Sequence, residues 1–431
     1  MIRSFPRAIV HVDGDSFFVA CEIAKNPSLR GKVVITGKER GIASAMSYEA
    51  KRLGITRAMS LPEIRKRCPD AIILPSDYET YSLYSERMYE ILRRYTPDVE
   101  EYSIDECFAD ITGFRRSHNG SYESIAENIK HDLETELGLS FSVGLSVNKV
   151  MAKAASKWRK PSGFTVIAGS SLHTYLAKLP IGNIWGIGPN TTAHLMKLGI
   201  RTGLDFALRE PGWVHAHFSK PFQEIHAELR GGFVYPLTVG TKHDYASISK
   251  TRTFTPPSKD RDFVFSQLSK NVENACIKLR RHTLYTKRIA FYLKTQEFRY
   301  HGLEIKLAQT VSIPEEILAA IRDKFDDVYR TGVSYRATGI VLMDLVHDGV
   351  STYDLFGHSD LIEKTTRIYE AVDRMSEKYG KHTIFLGSSF KAMTKPAHVG
   401  DRSHNSERKN HILKGETIRK KIGLPYLGKV T

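Results

Sequence analysis

Residues 8–13, AIVHVD, form an apolar run closed by an acid, and the pattern predicts a buried strand ending on Asp13. SFFVACEIAK, directly after, reads as a helix. KVVIT (32–36) predicts another strand, and GIASAMSYEAKRLGI (41–55) a turn followed by a helix. In ETYSLYSERMYEILRRY (79–95), Tyr81, Tyr84, Met88, Ile91, Leu92 and Tyr95 recur near helical spacing, so an amphipathic helix is expected there. SYESIAENIKHDLETELG (121–138) sets Ile125, Ile129, Leu133 and Leu137 on one stripe, with Gly138 as its C-cap. FSVGLSV (141–147) predicts a strand, and NKVMAKAASKWRKP (148–161) a helix stopped before Pro161. Strands alternating with long helices predict an α+β sheet domain whose helices pack on one face.

The pattern then changes twice. From about 172 to 240 it is mainly helical. From about 247 to 345, SKTRTF, KRIAFYLKTQ, LEIKLAQTVSI and YRATGIVLMDLV predict strands, with EEILAAIRDKF as a helix among them. TKHDYA (241–246) is the expected linker. The last 40 or so residues are poor in apolar periodicity and rich in Lys, Arg, His and Gly, the composition of a mobile or partner-dependent tail. IYEAVDRMSEKYG fits neither a domain nor a motif, and no internal repeat is present.

One stretch breaks the apolar logic. YSIDE (102–106) places Asp105 and Glu106 side by side where strand neighbours should point to opposite faces. One of them would then face a core, where an unpaired charge is costly. A hairpin turn at Asp105 removes the conflict, because both side chains are then free to point the same way. If that strand pairs with AIVHVD, Asp13 joins them. Three gathered carboxylates repel one another unless cations neutralise them, and hard oxygen ligands favour Mg²⁺. Two such ions about 4 Å apart clamp both oxygens of a phosphoryl displacement. Three exposed carboxylates at strand ends satisfy the same pattern without a metal, and both readings stand at this point.

Composition narrows the class. With 431 residues, 41% hydrophobic and 26% charged, the chain is expected to be globular with more than one domain. No run of about 18 apolar residues suggests a membrane span, and the apolar stretch near the N-terminus is short for a secretory signal. Cys21, Cys68, Cys107 and Cys276 lack metal-site spacing and are expected as buried, reduced thiols of a cytoplasmic protein. The net charge of +15, from 63 Lys and Arg against 48 Asp and Glu, points to a polyanionic partner, nucleic acid or an anionic membrane surface. Lys149, Lys153 and Lys157 repeat every four residues and predict a basic stripe on one helix face. IWGIGPNTTAHLMKLGI (184–200) reads as helix, tight turn at Gly186 and Gly188, helix, and glycines let backbone N–H groups approach a phosphate. In 247–345, Lys250, Arg252, Lys287, Arg288, Lys294, Arg299 and Arg336 alternate with apolar residues, as in a sheet with one basic face against a duplex backbone.

DGDSFF (13–18), SYEAKRLG (47–54), YSIDE, GLSVNKVMAKAASKWRKPSG (144–163) and IWGIGPNTTAHLMKLGI occur in this order. Over residues 8–345 the chain thereby resembles the Y-family translesion DNA polymerases of the bacterial polymerase IV kind. The resemblance implies an α+β multidomain right-hand fold: palm at 1–22 and 79–171, a mixed sheet plus helices; small fingers at 23–78; a helical thumb with a helix-hairpin-helix at 172–240. After the linker it implies an α/β little finger at 247–345, then a C-terminal tail at 346–431. It implies template-directed, low-fidelity addition of dNTPs to a primer 3′ end, with two Mg²⁺ ions and Mn²⁺ as a possible substitute. Asp13, Asp105 and Glu106 would be the catalytic carboxylates, and the Gly14 carbonyl a further metal ligand. No exonuclease-like region is evident. The partners implied are primer-template DNA and dNTP, for an enzyme without a membrane that acts as a monomer.

By the same resemblance, Phe17, Phe18, Tyr48, Lys51, Arg52 and Lys160 line the nucleotide site, with Phe18 as the steric gate against a 2′-hydroxyl. Lys51 stands where arginine is usual, a point charge in place of a bidentate fork, so Arg52 could share its contact. Ile42 falls where the family roofs the nascent base pair. Asp15 is expected to cap a helix or lie on the surface. Lys149, Lys153, Gly186, Gly188, Lys250, Arg252 and Arg336 are expected DNA contacts. STYDLFG (351–357) resembles a sliding-clamp motif through Leu355 and Phe356, although Thr352 replaces the usual glutamine; the clamp contact would span 352–356. Two rival readings are a nucleotidyl cyclase, which carries a Gly-Gly-acidic-acidic-Phe hairpin in place of YSIDE, and a catalytically silent DNA-binding accessory of a translesion complex. The retained acids speak against the second.

Overall fold

The computed structural model describes residues 4–239, 245–347, 358–379 and 382–394. They fall into two compact units, one taking in nearly all described residues up to Val239 and the other running from Tyr245 to Thr394. The first unit runs β1 (Ile9–Gly14), α1 (Phe17–Lys25), β2 (Val34–Thr36), β3 (Ala45–Met46), α2 (Tyr48–Arg52), α3 (Leu61–Arg67), β4 (Ile72–Leu74) and α4 (Tyr78–Arg93). It continues with β5 (Val99–Ser103), β6 (Glu106–Asp110), α5 (Tyr122–Leu137), β7 (Phe141–Ser146), α6 (Lys149–Trp158) and β8 (Phe164–Ile167). Five helices close it: α7 (Leu172–Leu176), α8 (Pro189–Lys197), α9 (Gly203–Ala207), α10 (Pro211–His217) and α11 (Lys220–Leu229).

β1 lies at the centre of a five-stranded sheet ordered β5-β6-β1-β7-β8, with every one of its residues buried. Strand alternation sends Val10 and Val12 to one face, into a core with Tyr81, Tyr84 and Met88 of α4 and Ile125, Ile129 and Leu133 of α5. Ile9 goes to the other face and meets Phe108 and Ala152 of α6. Helices therefore cover both faces, not the one face that the alternation of elements suggested. A central strand buried on both sides needs a cover on each. A smaller sheet, β3-β2-β4, has its own core around Ile35, Ile55 and Ile64.

The second unit runs β9 (Ser247–Ser258), α12 (Arg261–Arg281), β10 (Tyr285–Thr295), β11 (Tyr300–Val311), α13 (Pro314–Arg322), α14 (Phe325–Val328), β12 (Tyr335–Val346), α15 (His358–Tyr379) and α16 (Phe390–Thr394). Its antiparallel sheet has the order β11-β10-β12-β9. α12, which the apolar pattern does not announce, supplies Val264, Leu268, Val272 and Leu279 to the core over Ile289, Phe291, Leu293, Ile340 and Leu342. The chain after residue 346 does not stay apart from this unit. Tyr369 on α15 is buried in the same core and donates to Glu315 Oε1 (2.5 Å), while Arg280 grips Asp373 through two bonds of 2.7 and 2.8 Å. Further on, Ser389 Oγ donates to Glu273 on α12, and Ala392 N to Ser266 Oγ (2.8 Å). Tyr369 on α15, and hydroxyls that bond a buried acid, thus hold down 358–379 and 382–394, the first of which the sequence left unassigned, whereas the tail expected to be mobile, the last 40 or so residues, lies almost wholly outside the described residues. Among the described residues no helix is long and apolar enough to cross a membrane.

Candidate active site

β5 and β6 form a hairpin whose turn is Ile104 and Asp105. β1 pairs antiparallel with β6, so that Asp13 lies directly opposite Glu106. The Gly14 N–H donates to the Asp105 carbonyl (2.8 Å), and Ser103 Oγ donates to Asp105 Oδ1 (2.5 Å). A strand end and a hairpin turn thus bring Asp13, Gly14, Asp105 and Glu106 together.

Two ammonium groups meet these acids. Lys160 Nζ donates to Asp13 Oδ1 and stands 3.7 Å from Asp15 Oδ1; Lys153 Nζ donates to Glu106 Oε2. Burial raises the Asp13 carboxyl above its ordinary range; Lys160 opposes this, and the charges of Glu106 and Asp105 add to it. Burial also works to raise Glu106, but hydrogen bonds from His11 and Lys153 prevail and hold it down at about 2. Among the described residues, no three acidic, histidine or cysteine side chains close around a point that could hold an ion by themselves. Mg²⁺ takes one or two carboxylates and completes its octahedron with substrate phosphates and water. The open oxygen set at these strand ends, with lysine cations standing against two of its carboxylates, fits that pattern of binding.

Asp15 corrects its expectation of a cap or surface role. It is 2% exposed and accepts from Ser142 Oγ (2.9 Å), the Ser162 N–H (2.6 Å) and Tyr48 OH (3.2 Å). It ties β7, the segment after α6 and the start of α2 to the end of β1. Tyr48, Lys51 and Lys160 gather around it. Lys51 Nζ donates to Ser16 Oγ (2.9 Å) and lies 4.0 Å from the centre of the Tyr48 ring. Burial, then the neighbouring charge of Lys160, lowers the Lys51 ammonium. Arg52 is exposed and outside that cluster's bonds. Phe18 is half-buried, stacked on Tyr81 at 4.4 Å with its edge to Tyr78 at 5.4 Å. Phe17, also expected at the nucleotide site, is buried in the core of the first unit.

The lysine stripe on α6 also needs correction. Lys149 and Lys153 are each 5% exposed, because α6 turns this row toward the sheet. Lys149 Nζ donates to both oxygens of Glu100 (2.8 and 2.7 Å), and Lys153 reaches Glu106 with Tyr102 and Trp185 rings at 4.5 and 5.4 Å. Only Lys157 of the three is exposed. The amines of Lys149 and Lys153 are buried and committed to carboxylates, where a face open to DNA was expected. Gly186 takes φ +89° and Gly188 is the N-cap of α8, but a single 3₁₀ turn, Ile181–Asn183, precedes them in place of a full helix.

In the second unit, Lys250 and Arg252 fall on the same strand side as buried Ile248, opposite Ile340 and Thr338 of β12. Asn271 on α12 bonds Thr338, which marks this as the helix side of the sheet. The single basic face expected from the alternation is therefore divided by strand parity, with Lys250 and Arg252 on the helix side of an edge strand. Arg336 lies 4.3 Å from the Phe298 ring centre, and Lys294 lies 4.8 Å from it and 4.6 Å from that of Tyr300. Leu355 and Phe356 lie outside the described residues.

Sequence reasoning passed over His11, Ser142, Ser156 and Glu100. For His11 a signal was present: a polar residue inside a buried apolar run has to be hydrogen-bonded to something.

Residues 12–157 match the impB/mucB/samB family, and residues 245–355 match the C-terminal domain of that family. The chain is 33% identical over 349 residues to a DNA polymerase IV of Lactococcus lactis subsp. cremoris (strain MG1363), covering 79% of this chain and 95% of the relative. A DNA polymerase IV of Streptococcus pyogenes serotype M1 is 32% identical over 351 residues, 80% of this chain and 96% of the relative. Among solved structures, a chimeric Y-family DNA polymerase superposes with TM-score 0.67 at 23% identity, over 79% of this chain and all of that one. An insertion ternary complex of Dbh DNA polymerase gives TM-score 0.53 at 22% identity, over 79% and 100%.

Proposed function

The chain belongs to the impB/mucB/samB family and is a DNA-directed DNA polymerase of the translesion, polymerase IV kind; from that premise we propose that Asp13, Asp105 and Glu106 are its catalytic carboxylates. The observation that carries this is the β1–β6 register, which sets Asp13 opposite Glu106 with Asp105 in the adjoining turn, each of the two paired acids already drawing a lysine. Two divalent ions, Mg²⁺ or Mn²⁺, would here lower the pKa of a primer 3′-hydroxyl and neutralise the pyrophosphate leaving group. Asp13, Asp105 and Glu106 would hold them, with the Gly14 carbonyl. The remaining chemistry is positioning. Tyr48, Lys51 and Lys160 form the triphosphate pocket, and Lys160 leaves Asp13 for phosphate when a nucleotide arrives. The ring of Phe18 packs under the sugar. We read residues 1–22 and 79–171 as palm, 23–78 as fingers, 172–240 as thumb, and 247–345 as little finger. The enzyme works as a cytoplasmic monomer without proofreading, and residues 352–356 engage a sliding clamp.

The test is extension of a labelled primer with Mg²⁺ and dNTPs, on an intact template and on one with an abasic site. Wild type extends on both, and Asp105→Ala retains DNA binding while losing extension. DNA binding without extension by wild type would favour a silent accessory instead. Phe18→Ala should incorporate ribonucleotides; rejection equal to wild type would remove Phe18 as the gate.

A further inference from the structure

His11 is fully buried in β1, two residues before Asp13, and both of its ring nitrogens have partners. Nε2 is 3.1 Å from Glu106 Oε2, and Nδ1 is 2.7 Å from Ser156 Oγ on α6. Ser156 is itself buried, and its Oγ lies 3.0 Å from the Lys153 carbonyl. Lys153 Nζ reaches the same Glu106 oxygen as His11. One oxygen of Glu106 thus takes both donors, and Oε1 takes neither.

The hydrogen positions follow from bookkeeping of donors and acceptors. An ionised carboxylate only accepts, so the histidine proton facing Glu106 sits on Nε2. In the neutral imidazole the other ring nitrogen accepts. Nδ1 is then an acceptor, and Ser156 must give its hydroxyl proton to Nδ1 in preference to the more distant Lys153 carbonyl. The ring is thus held from both sides, Nε2–H donating to Glu106 and Nδ1 accepting from Ser156.

We propose that His11, fixed by Ser156, is a positioning residue for the reaction: it anchors Glu106 by Oε2 and turns Oε1 toward the metal-binding side of the strand ends. The proposal rests on the reading of Glu106 as a catalytic carboxylate. Lys153 cannot serve this purpose alone. Its ammonium brings charge that competes with a cation for the acid. The His11 ring is buried and held rigidly, tilted against Phe108 at 4.5 Å. A histidine that orients a ligand carboxylate in this way acts on metal affinity, where such outer partners are worth roughly 10–100-fold.

The experiment is a Mn²⁺ titration by electron paramagnetic resonance. It uses the full chain bound to a dideoxy-terminated primer-template and the matching dNTP, so that binding is read without turnover. Mg²⁺-dependent kcat and KM for dNTP are measured separately. His11→Leu should weaken Mn²⁺ binding roughly 10–100-fold and lower kcat with little change in KM. His11→Gln, which keeps an N–H for Glu106, should recover part of the loss, and Ser156→Ala should fall between. If His11→Leu lowers the melting temperature sharply, His11→Gln and Ser156→Ala decide alone. Wild-type Mn²⁺ binding in all folded variants would overturn the proposal. Glu106→Ala separates the two levels: if it too binds Mn²⁺ like wild type, the assignment of Glu106 has failed; if it loses Mn²⁺ while the His11 variants do not, only the role of His11 has.

Discussion

Lys149 and Lys153 on α6 follow the helical period, and Lys294 on β10 and Arg336 on β12 sit in strands of the second sheet. In sequence both sets look like solvated basic rows. In the first unit the row is buried and each amine is committed to a carboxylate, Glu100 or Glu106. In the second, the cations stand on aromatic rings of the β10–β11 hairpin, where Phe298 is 60% and Tyr300 61% exposed. A period says which residues are neighbours; it does not say which side of the element faces a core. The difference also separates two uses of positive charge, one that neutralises acids of β5 and β6 and one that stands on exposed rings.

The comparison breaks most easily at Lys149. Lys149→Met leaves Glu100 buried, with the Thr238 N–H (2.9 Å) as its remaining donor among the described residues. Removing one partner of a buried pair costs about 3–5 kcal/mol. Urea melts of the full chain should show that cost in the single variant, and the Glu100→Leu/Lys149→Met double variant should regain much of it. A single variant as stable as wild type would mean that the row is solvated after all.

A second pair of substitutions sharpens the other side. Lys294→Ala and Arg336→Ala, at half-buried positions that stand on exposed rings, should each cost only about 0.5–1 kcal/mol, the range of such cation–π contacts near the surface. For each cation that pairs with a phosphate, its removal should reduce the slope of log affinity for duplex DNA against log salt by about 0.9. An unchanged slope would assign these cations to the aromatic cluster alone.

The same distinction explains what could be read from the chain. The β1 and β6 strand ends were legible because AIVHVD and YSIDE break an apolar run with acids, and the chemistry of crowded carboxylates demands a joint explanation. The helices α4 and α5 were legible because Tyr81, Tyr84 and Met88, then Ile125, Ile129 and Leu133, repeat at helical spacing. α12 was not, because its buried face includes Ser266, Gln267, Ser269, Asn271 and Glu273, polar residues that blur the period. The burial of Ser266, Ser269 and Glu273 makes sense only once the segment at 382–394 is in place to bond them. Asp15 was misjudged for the same reason: its donors come from Tyr48, Ser142 and Ser162, which no local pattern links to it. Local order was written in period, whereas the partners of buried polar groups were fixed by tertiary pairing.

The smallest effect concerns two buried glutamates that the units treat differently. Glu100 faces an ammonium, whereas Glu273 on α12 receives the Ser389 hydroxyl and the Leu386 N–H (3.3 Å). Burial raises the Glu273 carboxyl above its ordinary range, the charge of Glu315 adds to this, and the two hydrogen bonds from the C-terminal segment only partly oppose it. A folded-state pKa above the unfolded one means that the native state binds the proton more tightly. The resulting stabilisation is fully present below the unfolded pKa and fades as pH rises through the folded one. The unfolding transition of the second unit should therefore gain stability on moving from pH 7 toward pH 5, relative to a Glu273→Gln variant of the full chain that has no proton to bind. Parallel pH profiles for the two proteins would show that Ser389 and Leu386 satisfy the carboxylate as completely as Lys149 satisfies Glu100, and the contrast between the units would then be confined to their cations.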